Sequence, residues 1–126
     1  MTGAASSARA SSLWRLAAPP IVWAAHFGAC YATAVATCGR WSDGVQAEAV
    51  PLLVAIWSIG ALGALAACLA TGSRGGAVLE PARALDDDTP ASRAAFVATT
   101  NALLVMVSGL AVMFVAAAAW MVPQCR

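Results

Sequence analysis

Three long stretches without a formal charge constrain this chain more than anything else in it. Residues 16–37, 51–71 and 94–122 contain no Asp, Glu, Lys or Arg. A helix needs about 20 mostly apolar residues to cross a hydrocarbon layer roughly 30 Å thick. Each stretch meets that length, and no other part of the chain stays apolar for as long. Inside hydrocarbon every backbone N–H and C=O must find a partner within the chain, which makes helices the default. A membrane barrel would need many alternating segments of about ten residues, and the sequence has none. The expectation is an all-α integral membrane three-helix bundle. It forms a single transmembrane domain over residues 1–126, with helices at about 13–38, 51–71 and 90–122.

Composition agrees. The 126 residues are 61% hydrophobic and 10% charged, against about 25% charged in an average soluble domain. So few charges cannot cover a water-facing surface, which excludes an ordinary soluble enzyme and a disordered tail. The net charge of +1 offers no basic field to gather phosphates, so no nucleic acid is expected as a partner.

Local chemistry suggests the boundaries. Ser11 and Ser12 are candidate caps for the first helix, with Pro19 and Pro20 expected near its first turns. Gly39 and Gly72 are natural stops after the first two runs, and Pro51 suits a first turn. Asp86, Asp87, Asp88, Thr89 and Pro90 form a start signal for the third helix. The carboxylates there suit the positive end of the helix dipole, and Pro90 suits the first helical position.

Every basic residue is an arginine. Arg9, Arg15, Arg74, Arg83 and Arg93 fall on one side of the proposed membrane, Arg40 and Arg126 on the other. The excess of arginine marks the cytoplasmic side. It places the N-terminus in the cytoplasm and the C-terminus in the periplasm. Trp14 then lies at the inner interface, Trp41 and Trp120 at the outer one, where half-polar indoles gather. The first run also has signal-peptide features, with Arg9 and Arg15 before it and Ala34-Val35-Ala36 near its end. It is longer than the usual 7–15-residue core and Pro19-Pro20 interrupts it, so it is read as a retained span.

His26 is the sole histidine. Trp23, His26, Cys30, Thr33 and Thr37 share one helical face at 3, 4, 3, 4 spacing. A polar stripe on a membrane helix should face protein. On the second helix Trp57, Gly60, Ala64, Ala67 and Thr71 repeat that spacing, and small residues there would let backbones approach. On the third, Asn101, Leu104, Ser108, Ala111 and Val115 lie in register. The leading role for His26 is a hydrogen bond across the bundle or to a partner subunit, with Ser108 at similar depth. The alternatives are a proton relay, which no intramembrane carboxylate supports, and a cofactor ligand. As a haem ligand His26 would pair with Met106 or Met113; a quinone site is the related possibility. Asn101 is read as interhelical glue.

Cys38 and Cys125 fall on the same, outer side, and an oxidising compartment favours a disulfide between them. Cys30 and Cys68 fall at different depths and are read as unpaired small hydrophobes. No metal site is expected, because no CxxC or HxxxH spacing exists. Neither a phosphate-binding glycine loop, a Ser–His–Asp set nor a catalytic carboxylate pair is present, so no enzyme activity is expected. The aspartate cluster at 86–88 reads as a helix start and carries no metal-loop spacing.

Residues 16–27, LAAPPIVWAAHF, followed by Cys30-Tyr31 and Cys38, resemble a family of small proteobacterial membrane proteins. Their genes tend to neighbour those for haem-copper cytochrome c oxidase. Asp88-Thr89-Pro90 with Arg93, and the closing Pro123-Gln124-Cys125, are similar to the family's last helix and C-terminus. The resemblance implies a respiratory setting in a bacterial inner membrane. It points to an accessory subunit or assembly factor that works by helix packing, with Trp23, His26, Phe27 and Tyr31 as the surface for other membrane subunits and with lipids as further partners. A channel or transporter would need more polar lining than Thr33, Thr37, Ser58, Asn101 and Ser108 provide.

Overall fold

The computed structural model describes residues 3–40, 49–73 and 89–121, with side chains over 13–37, 50–72 and 89–121. Among the described residues three helices run in chain order: α1 (Gly3–Arg40), α2 (Ala49–Ser73) and α3 (Pro90–Met121). Each packs against both others, and the described residues contain no strand.

The element order follows the charge-free runs, but α1 is longer than its run. Its 38 residues extend about 57 Å at 1.5 Å per residue. Ser11 and Ser12 therefore lie inside the helix and cannot cap it. Pro19 and Pro20 also lie well inside α1, beyond its first turns, and Pro19 is fully buried. The start of α3 is as the sequence implies. Thr89 stands at the cap position: its Oγ1 accepts from the Ser92 amide at 3.3 Å, and its carbonyl accepts from the Arg93 amide at 3.2 Å. Pro90 occupies the first helical position, where a missing N–H costs nothing. Asp86, Asp87 and Asp88 lie outside the described residues.

The buried faces are narrow stripes. On α1 they include Pro19, His26 and Cys30, on α3 Ala98, Asn101, Val105, Ser108 and Val112. The α2 stripe differs from expectation. Val50, Val54, Ser58, Ala61, Leu65 and Gly72 face inward; Trp57, Gly60, Ala64, Ala67 and Thr71 face outward. Both sets have helical periodicity, and an all-round apolar helix does not specify which face is the seam. Apolar side chains fill the space between the helices: Ala61, Leu65, Val105 and Val112 form one cluster with Val22 and Cys68 against it. Cys30, Val50 and Val54 form a second with Val115 and Ala119.

Gly72 lies in the last turn of α2, which is described through Ser73. It is buried against α3. A methyl group at Gly72 would collide with the Asn101 amide nitrogen and come within 3.2 Å of its carbonyl carbon. The glycine is there for close helix approach.

The outer surface is strongly apolar. Among the described residues two helices, Val50–Gly72 and Pro90–Met121, are long and apolar enough to cross a membrane, where the sequence implies three, and only 17% of the most apolar stretch of each is buried. A core helix of a soluble protein would be mostly covered. Leu52, Ile56, Ile59, Leu103, Met106, Val107, Leu110 and Phe114 are instead all more than half exposed.

Candidate functional site

The polar centre of the bundle is built by α1 and α2. His26 is 4% exposed and Ser58 6%. The imidazole Nε2 lies 3.0 Å from Ser58 Oγ. Ser58 spends its one hydrogen on the Val54 carbonyl at 2.7 Å, so it accepts from Nε2–H. That assigns the neutral ring its tautomer. Cys30, one helical turn along α1 and also buried, brings its sulfur to 3.4 Å from the same nitrogen. Nδ1 is buried and has no partner.

Of the five residues that share the 3, 4, 3, 4 spacing, His26, Cys30, Thr33 and Thr37 sit on the inward side of α1, while Trp23 is exposed. Thr33 and Thr37 turn their hydroxyls onto their own helix, at Ala29 O (2.8 Å) and Thr33 O (2.7 Å). Ser108 is buried, but the hydroxyl that meets the imidazole is Ser58. Sequence reasoning missed this partner. The signal was available, because Ser58 is the only hydroxyl in the interior of the second apolar run.

A second polar contact joins α2 to α3. Asn101, 2% exposed, donates from Nδ2 to the Cys68 carbonyl at 3.3 Å. Its Oδ1 is buried without a partner. Asn101 is interhelical glue, and Gly72 makes room for it.

The expected recognition residues divide. Trp23, Phe27 and Tyr31 follow one another at four-residue intervals and are 38%, 51% and 65% exposed. Trp23 and Phe27 stack obliquely, with centroids 6.4 Å apart. His26 does not belong to this stripe; it points into the bundle. Beside the stripe lies an open apolar cavity of about 180 Å³, walled by Phe27, Cys30 and Tyr31 of α1, Val50 and Val54 of α2, and Val115 of α3. Trp14 and Trp120 are both exposed; Trp41 lies outside the described residues.

The residues do not fit an intrachain haem. His26 Nε2 is turned toward Ser58, while Met106 and Met113 are 70% and 54% exposed on the outer side of α3. An iron cannot reach a buried imidazole and an outward thioether together. Cys38 and Cys125, the expected disulfide pair, lie outside the described residues as side chains. Cys30 and Cys68 are free thiols. No protein family, curated protein or solved structure matches this chain.

Proposed function

We propose that this chain is an integral bundle of the bacterial inner membrane that serves a terminal oxidase or related respiratory complex as an accessory subunit or assembly factor. It acts by helix packing, not by chemistry of its own. One observation carries the reading: buried polar side chains pair across the bundle while large apolar side chains cover its outside. Such a surface suits a surrounding of lipid and other membrane helices. The exposed Trp23–Phe27–Tyr31 stripe offers rigid aromatic anchors to a neighbouring helix. The oxidase setting comes from the resemblance at residues 16–27 and 123–125.

A photoreactive amino acid placed at Phe27 or Tyr31, and separately at Val107 as a control, tests this in native membranes. Crosslinks from the α1 positions to oxidase subunits, with Val107 reaching only lipid, support the proposal. Crosslinks to lipid alone from all three positions would overturn it.

A further inference from the structure

We infer that the open cavity between the helices holds one acyl chain of a membrane phospholipid. This rests on the reading of the bundle as a membrane protein, and not on the oxidase as its partner. The walls of the cavity, its shape and its depth each point to that occupant.

The walls are hydrocarbon. Phe27 and Tyr31 of α1, with rings 51% and 65% exposed, form the rim, and Val50 and Val54 of α2, 1% and 2% exposed, form the floor. The hollow therefore reaches from the outside of α1 to the seam between the helices. An apolar cavity of about 150 Å³ stays dry and admits a six-carbon ring; this one, of about 180 Å³, is slightly larger. Without hydrocarbon in it, the wall atoms would forfeit dispersion contacts on one side.

The shape is that of a chain. On α1 the lining runs from Phe27 to Ala34, about 10 Å at 1.5 Å per residue. The volume spread over that length gives a mean cross-section of roughly 18 Å², the girth of a single extended methylene chain. A side chain from a neighbouring helix is a poorer fit. Packed helix axes stand about 8–10 Å apart, and the rings of Phe27 and Tyr31 hold a neighbour away from the floor.

The depth matches one leaflet. The charge-free run of α1 ends at Thr37, and that of α2 begins at Pro51, next to Val50. Counting back from Thr37, Ala34 lies about 5 Å and Phe27 about 15 Å inside the apolar layer, whose full thickness is roughly 30 Å. The hollow so runs from the edge of the layer to its middle, alongside the acyl chains. One of them can enter between the rings with its headgroup left at the surface.

The test reconstitutes the full chain in vesicles of phosphatidylethanolamine and phosphatidylglycerol. A fraction of the phosphatidylglycerol carries a diazirine midway along one acyl chain. Irradiation and peptide mass mapping locate the adducts, in the vesicle and again after washing in mild detergent. In the vesicle both Val54 and the control Val107, 67% exposed on α3, should be labelled. After washing, the Val54 adduct should persist and the Val107 adduct should be lost. Ala34→Leu fills the hollow from α1 and should cut the Val54 adduct by about tenfold, with vesicle labelling of Val107 unchanged. Ala119→Leu, which fills it from α3, serves where helical circular dichroism shows that Ala34→Leu does not fold. Labelling of Val107 without Val54 would overturn the site and leave the membrane reading standing; labelling of neither would overturn both. A Val54 adduct that is lost on washing, or that survives both filling variants, would also overturn the site.

Discussion

His26 shows how one side chain is governed by neighbours far away in sequence. The imidazole donates to Ser58, 32 residues further along, and Ser58 is itself anchored to Val54. Replacing Ser58 with Ala removes the acceptor and leaves a buried N–H. Interhelical hydrogen bonds between membrane helices contribute about 0.6–2 kcal/mol. Ser58→Ala and His26→Ala should each destabilise the bundle by about that much. Their double mutant should cost less than the sum. Unfolding in mixed micelles with increasing dodecyl sulfate measures the coupling; strict additivity would mean the bond contributes nothing. That His26 faces inward was legible from its 4, 3 spacing with Cys30 and Thr33. Its partner was not, because the depth and rotation of α2 depend on packing.

At the scale of an element, α2 carries the main correction. It is apolar all round, so the small-residue face and the branched face are equally plausible seams from the sequence. Shape chose the branched face, since Val50, Val54 and Leu65 fill space that glycine and alanine would leave empty. Gly72→Ala should then clash with Asn101 and cost about 1–3 kcal/mol. The double change Gly72→Ala with Asn101→Ala should recover part of that loss in the same unfolding assay. Gly60→Ala and Gly63→Ala meet open space and should leave stability close to the parent; a loss as large as that of Gly72→Ala would place the seam elsewhere. On α3, Thr89→Ala removes the cap and should cost about 1 kcal/mol. Faster hydrogen exchange at the Ser92 amide, with the middle of α3 unchanged, is the expected readout.

Across the whole molecule, the topology proposed from the arginine bias is open to direct measurement. A phosphatase fused after Arg126 should be active, because periplasmic export lets it fold and oxidise. Activity of a cytoplasm-dependent reporter at the same position would reverse the orientation. The exposed stripe of Trp23, Phe27 and Tyr31 matters at this scale too. Its side chains pack on nothing in the bundle as fully as the buried ones do, and they leave the cavity beside them open.

The order of the three described helices and the site where α3 begins were set by the sequence alone. Uninterrupted apolar length and the Thr-Pro start are local properties, and each residue contributes to them without reference to distant ones. Tertiary structure decided which stripe of α2 turns inward, that Gly72 makes room for Asn101, and that Ser58 is the hydroxyl that meets His26. Those outcomes depend on how three surfaces interlock, and a side chain's best partner exists only once the neighbouring helix has taken its rotation and depth.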